Sequence, residues 1–320
     1  MVILEVQELV KFFPVGGGLF KKPEMNRAVD NVSFTITEGE TLGLVGESGC
    51  GKTTCGKTIL KLYEPTSGKI IFKGEDITHL NRSEMRKFRR DMTIIYQDPF
   101  GSLDPRMSVG GIISEPMEVH NLYPKREREE KVSEIMEKVG LTPEQVNRYP
   151  HEFSGGQRQR IGIARSLAVD PDFIVADEPV SALDVSIQAQ ILNLMQNLQD
   201  EFGFTYLFVT HDLSVIKHTC DRVAVMYVGK IVEMALKEEL FNHPKHPYTE
   251  ALLSAVPVPN PRFKKKAIIL KGDVPSTTSP PPGCRFHTRC LYAQEICSQK
   301  EPVFEEKGKG HFVACHFPLE

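Results

Sequence analysis

The chain has 320 residues, of which 40% are hydrophobic and 25% charged, with a formal net charge of −3. These proportions are those of a globular protein; they exclude a collagen-like, coiled-coil or disordered chain and supply no bulk positive charge for nucleic acid as a main partner. The length allows one large α/β domain, or one such domain with an appendage. The apolar runs are short, as in Val223 to Val228, well below the roughly 18 residues of a membrane span. Met1-Val2-Ile3-Leu4-Glu5 has neither the basic flank nor the small-residue cleavage site of a signal peptide, so an intracellular chain is expected.

In chain order, residues 2–7 and 31–36 read as strands, separated by the glycine-rich, basic stretch Val15 to Lys22. Thr41 to Val45 is a short apolar run typical of a buried strand, and a glycine-rich turn leads from it into a helix near Lys52–Leu62. Strands follow at 68–72 and 93–96. Residues 125–139 place apolar side chains at 132, 135, 136 and 139, the spacing of a charged helix with one buried face. Ser154 can cap a helix running toward Ala168. Residues 173–176 form a further apolar strand, 186–202 a helix, and 205–209 and 222–228 two more strands. Strands alternating with helices imply a parallel sheet covered on both faces. Val256-Pro257-Val258-Pro259-Asn260-Pro261 cannot continue a helix and reads as a linker, which sets a domain boundary near 255.

Three motifs carry chemistry. Gly46-Glu47-Ser48-Gly49-Cys50-Gly51-Lys52-Thr53 matches G-x-x-x-x-G-K-[ST] between a strand and a helix. Its glycines let backbone N–H groups turn inward around phosphate, and the helix start adds partial positive charge. Gly46, Ser48, Gly49, Cys50, Gly51, Lys52, Thr53 and Thr54 are the expected phosphate contacts, with Lys52 on the β- and γ-phosphates and Thr53 on Mg²⁺. Asp177 and Glu178 end an apolar strand, a pattern suited to one carboxylate for a metal and one for water. Ser154-Gly155-Gly156-Gln157 opens a helix, a second candidate anion site.

With that third motif the chain resembles the ATP-binding subunits of ABC transporters, whose signature is S-G-G-Q. Gln97, in Tyr96-Gln97-Asp98-Pro99, resembles the Q-loop; Ser181-Ala182-Leu183-Asp184 resembles the D-loop; His211 resembles the switch histidine. The resemblance covers residues 1 to about 240. It implies a P-loop NTPase core with a parallel sheet, an antiparallel β subdomain and a helical subdomain over about 98–170. It also assigns roles: Glu178 as general base, Asp177, Gln97 and Thr53 around Mg²⁺, His211 on the γ-phosphate. Ser154, Gly155, Gly156, Gln157 and Asp184 would serve a nucleotide shared with a second ATP-binding subunit. Phe13, with Phe12 in reserve, would stack on adenine.

Of seven cysteines, Cys284, Cys290, Cys297 and Cys315 crowd into the C-terminal segment, spaced C-x5-C-x6-C-x17-C. That spacing fits neither a zinc knuckle nor the common ferredoxin pattern, so by itself it means a thiol site with unspecified metal. His246-Pro247-Tyr248-Thr249, Pro275-Ser276, Gly283-Cys284-Arg285-Phe286-His287 and the remaining cysteines resemble the C-terminal extension of dipeptide/oligopeptide importer ATPases, and Phe13 to Phe20 is similar to an insert in one of their two paired ATPases. The resemblance implies a cysteine-rich domain over 256–320 holding a [4Fe-4S] cluster. Zn²⁺ is the alternative, with His287 and His316 as substitute ligands. The expected partners are a second cassette, as a paralogue or a second copy, two transmembrane permease subunits and, indirectly, an extracytoplasmic peptide-binding protein. The expected place is the cytoplasmic face of the membrane. A soluble ATPase acting on nucleic acid or ribosomes is disfavoured by the single cassette, and a redox protein with a vestigial nucleotide fold by the intact Lys52, Glu178 and His211. Because the ATP motifs lie outside the tail, nucleotide binding is expected not to depend on it.

Overall fold

A computed structural model describes residues 1–17, 23–256 and 267–320. The described residues form twelve strands: β1 Val2–Val15, β2 Glu24–Thr37, β3 Thr41–Val45, β4 Ser67–Phe72, β5 Glu75–Asp76, β6 Met92–Ile95, β7 Phe173–Asp177, β8 Thr205–Thr210, β9 Arg222–Tyr227, β10 Lys230–Leu236, β11 Glu305–Glu306 and β12 Phe312–Val313. They divide into two compact units, one of Met1–Ile36, Thr41–Thr78 and Val209–Glu320, the other of Thr37–Glu40 and His79–Phe208.

The first unit contains a sheet in the order β2-β1-β4-β5, with β4 antiparallel to both β1 and β5. It also contains the strand run β11-β12-β10-β9-β3, in which β3 and β9 are parallel and the remaining pairs antiparallel. Every residue of β3 is buried, as a strand covered on both faces requires. The expectation of a parallel sheet therefore holds for β3 and β9 and gives way at β10, which returns through a tight turn at Val228-Gly229. Residues 267–320 belong to this same unit. The linker Pro257 to Pro261, and the part of the Phe13–Phe20 insert from residue 18 on, lie outside the described residues.

The second unit holds β6 and β7, which are parallel, with residues 205–208 of β8 on the other side of β7. Its helices include Val109–Val119, Lys125–Lys138, Gly155–Leu167 and Val185–Phe202. The helix Lys125–Lys138 buries Val132, Ile135 and Met136, the face its spacing marked out. The helix Gly155–Leu167 buries Ile161, Ile163, Ala164 and Leu167 and packs on its three helical neighbours.

Candidate functional site

In the first unit, β3 delivers the chain into the loop Gly46–Gly51, and Lys52–Ile59 continues as a helix. Two glycines are fixed by close backbone approach. A Cβ on Gly46 (φ +153°) would stand 2.1 Å from the Met226 carbonyl oxygen, and one on Gly51 (φ +110°) 1.9 Å from that of Ala28. Lys52 is buried, and its ammonium donates to the carbonyls of Gly46 at 2.8 Å and Glu47 at 3.1 Å. The cation thus closes the loop on itself. Burial raises the thiol pKa of Cys50, which sits inside the curl. Thr53 and Thr54 open the helix, and the exposed His211 follows β8 in the same unit.

Phe13 is half-buried, with the Tyr63 ring edge-on at 5.4 Å and the Lys11 ammonium 4.6 Å from its centroid. Phe12 lies 5.8 Å from the Arg27 guanidinium. Neither is a core residue, so both remain candidates for a stacking contact.

In the second unit, β7 ends at the buried Asp177. Glu178 then turns into the left-handed region at φ 46°, a costly conformation for a residue with a Cβ. Its Oε2 accepts from Gln97 Nε2 at 3.0 Å, so the carboxylate and the glutamine named from separate motifs meet. The Glu178 carbonyl accepts from both the backbone N–H and the hydroxyl of Ser181, bending the chain toward Asp184 at the start of the helix Val185–Phe202.

Ser154 and Gln157 form a reciprocal cap. The serine oxygen accepts from the Gln157 N–H at 3.3 Å, and the glutamine carbonyl accepts from the Ser154 N–H at 3.0 Å. The signature S-G-G-Q is thus a capping box in its own right, and it leaves Ser154 and Gly155 exposed at the helix start. A Cβ on Gly156 would fall 2.6 Å from Ile187 Cγ2.

The C-terminal segment supplies contacts that the motifs did not announce. Glu47 is held at three points: Arg289 grips its carboxylate at 2.7 and 3.2 Å, its N–H donates to the Tyr248 hydroxyl at 2.9 Å, and its carbonyl accepts Lys52. Tyr227, Tyr248 and Phe286 pack together with centroids 4.6 to 5.4 Å apart. Arg285 bonds the Val228 carbonyl and Asp30. The tail is therefore not independent of the phosphate loop, contrary to the expectation from motif positions. The only sequence signal for this was the pair of arginines beside Cys284 and Cys290.

Cys284, Cys290, Cys297 and Cys315 line one cavity with His246, Phe286, His287 and His316. Burial first, and nearby thiols after it, raise the Cys284 thiol to about 12 and the Cys315 thiol to about 11. The expected metal-binding domain finds no support here: the thiols share a cavity, yet among the described residues no three His, Cys, Asp or Glu side chains form a group that could hold a metal ion. His287 Nδ1 and His316 Nε2 are each 2.8 Å from a backbone carbonyl, of Cys284 and Lys300. His246 is fully buried; its Nδ1 accepts from the Tyr248 N–H at 3.0 Å, and its Nε2 has no hydrogen-bond partner.

The family described as ABC transporter matches residues 29–181, and the oligopeptide/dipeptide transporter C-terminal region matches residues 232–297. The chain is 56% identical over 318 residues to the oligopeptide transport ATP-binding protein AppF of Bacillus subtilis, covering 98% of this chain and 97% of that protein. A putative peptide import ATP-binding protein of Brucella abortus is 52% identical, over 98% of this chain and 97% of its own. Among solved structures, the ATP-binding cassette MJ0796, described as a dimer in a post-hydrolysis state bound to ADP and Pi, is similar at a TM-score of 0.66 and 29% identity, over 73% of this chain and 99% of that one.

Proposed function

The chain belongs to the ABC transporter ATP-binding proteins that carry an oligopeptide/dipeptide transporter C-terminal region, and on that premise we propose that it is the ATP-hydrolysing subunit of a peptide importer. The observation that carries the reading is the curled phosphate loop, with a buried lysine closing it and two glycines that no larger residue could replace. Gly46, Ser48, Gly49, Cys50, Gly51, Lys52, Thr53 and Thr54 serve the phosphates, Phe13 the adenine, and His211 the γ-phosphate. Thr53, Asp177 and Gln97 would hold Mg²⁺, which supplies charge neutralisation on the phosphates. Glu178 takes the proton of the attacking water, and its hydrogen bond from Gln97 orients the carboxylate. Ser154, Gly155, Gly156, Gln157 and Asp184 act on the nucleotide of a partner cassette, which makes two chains, copies or paralogues, the working unit. The dimeric cassette structure supports this part of the reading.

No helix among the described residues is long and apolar enough to cross a membrane. In this reading the pore belongs to separate permease subunits, this chain sits on their cytoplasmic side, and peptide arrives by way of an external binding protein. Residues 1–255 form the cassette and 256–320 the cysteine-rich extension in this reading.

For the cysteine cavity, the family resemblance favours a [4Fe-4S] cluster, with Zn²⁺ as the alternative. The four thiols line one cavity, although among the described residues no three His, Cys, Asp or Glu side chains form a group that could hold a metal ion. A [4Fe-4S] cluster takes four thiolates, one for each iron. His246 adds a second point of fit: a ring that accepts at Nδ1 carries its proton on Nε2, and that donor, orphaned on the cavity wall, suits an acceptor-rich sulfur group. When bound, the cluster would supply the metal–thiolate bonds that tie Cys284, Cys290, Cys297 and Cys315 together.

The catalytic reading is tested by Glu178→Gln. ATP should still bind, while phosphate release falls at least a hundredfold. Near-normal turnover would remove Glu178 as the base.

A further inference from the structure

We propose that Arg289 is a positioning residue for ATP, acting through Glu47 to hold the phosphate loop in the shape that receives the β- and γ-phosphates. The inference rests on the reading of residues 46–53 as an ATP site. Glu47 follows the first glycine of that loop, and every polar group it owns is engaged: its carboxylate by two nitrogens of Arg289, its N–H by the Tyr248 hydroxyl, its carbonyl by Lys52. Two of these three holds come from the C-terminal part of the chain, at 248 and 289. The two-point grip fixes the direction of the carboxylate as well as its place, which a lysine ammonium cannot do.

The grip is itself well anchored. Arg289 is 8% exposed, and its guanidinium lies 3.4 Å from the Tyr227 hydroxyl. Its backbone N–H donates to the Phe286 carbonyl at 2.9 Å, and Phe286 packs on both tyrosines. With Glu47 released, ATP binding would have to fix the loop backbone that Arg289 now fixes beforehand. Ordering one residue is worth about a tenfold change in affinity. AMP does not reach the part of the loop that meets the β- and γ-phosphates, so it should be spared.

The experiment is equilibrium binding of ATP and of AMP to the full chain, wild type beside Arg289→Ala, Arg289→Lys, Glu47→Gln and the double variant Arg289→Ala/Glu47→Gln. ATP binding by the wild type tests the site reading separately from the proposal. The expected result is an ATP affinity about tenfold weaker in Arg289→Ala and AMP binding within twofold of wild type. Arg289→Lys should recover part of the loss, and the double variant should bind no worse than the weaker single. In steady state the KM for ATP should rise with kcat within twofold. Unchanged ATP affinity in Arg289→Ala overturns the proposal. Equal losses for ATP and AMP overturn it too, because they mean general damage, as do additive losses in the double variant. Should Arg289→Ala fail to fold, Glu47→Gln carries the same comparison from the other side of the pair.

Discussion

Between Thr41 and Leu60 the chain buries Leu42, Leu44, Val45, Cys50, Cys55, Ile59 and Leu60; between residues 267 and 320 its buried apolar side chains are Phe286, Cys297 and Val313, with Arg285, Arg289 and His311 buried beside them. The two regions belong to one compact unit. The first is held by apolar packing and a strand ladder. The second is held by ion pairs and two short strands, with four free thiols lining a cavity. Ordering a residue costs about 1–2 kcal/mol, and three buried apolar side chains cannot offset that over so long a segment. The contrast teaches that the loop is self-supporting in a way the tail is not, while the tail nonetheless braces the loop.

The sharpest way to break this contrast acts on the loop from within. Lys52→Ala should weaken ATP binding about a hundredfold, since it removes a charge-assisted contact to two phosphates as well as the bonds that close the loop. AMP should lose much less. Calorimetry with both nucleotides decides it, and equal losses would contradict a phosphate-directed lysine.

The next experiment acts on the tail. Protein purified without oxygen should be brown, with about four irons per chain. Single Cys→Ser changes at 284, 290, 297 or 315 should remove the colour and open the tail to protease near the Val256–Pro261 linker. The same change at Cys50, Cys55 or Cys220 should not affect the colour. Stoichiometric zinc in a colourless preparation would replace the cluster with a mononuclear site. Because Arg289 adjoins Cys290 and grips Glu47, Cys290→Ser should also weaken ATP binding a few-fold, whereas a tail with no bearing on the loop would leave it unchanged.

The smallest effect separates base from phosphate. Phe13→Ala should weaken ATP, ADP and AMP alike, by about three- to tenfold, since an aromatic stack is worth roughly 0.5–1.5 kcal/mol and ignores phosphate number. A loss confined to ATP would remove Phe13 from the adenine contact. If Phe12→Ala shows the uniform loss instead, the stack belongs to its neighbour.

What could be read in advance follows from range of interaction. The phosphate loop is a local device, a strand, a glycine turn and a helix start, so its residue types at fixed spacing were sufficient. The capping box at Ser154 is equally local. The long strands were read short for a specific reason. Expected to stop at Gln7, β1 runs to Val15 through a bulge between Gln7 and Val10, where Glu8 has φ 47° and the alternation of faces breaks. In β2, Asn31 likewise has a left-handed φ, of 59°. Strand β10 was overlooked because it carries Glu233 at its centre. That carboxylate is fully buried and accepts from the N–H groups of Lys245 and His246 and lies 2.6 Å from His311 Nε2, partners 12 to 78 residues away. The bond from Arg289 to Glu47 spans 242 residues and has no local signature at all.

The backbone at Glu178 has a consequence for how this protein could change. Its left-handed φ of 46° is a conformation that glycine adopts freely and glutamate only at a cost of about 1 kcal/mol or more. The fold alone would accept glycine there at least as readily. Glutamate adds at that strand end a carboxylate that bonds Gln97, so backbone strain and the proposed role as base pull on the same residue in opposite directions. A search for a sturdier variant, blind to activity, would be drawn toward removing the base we propose at this position.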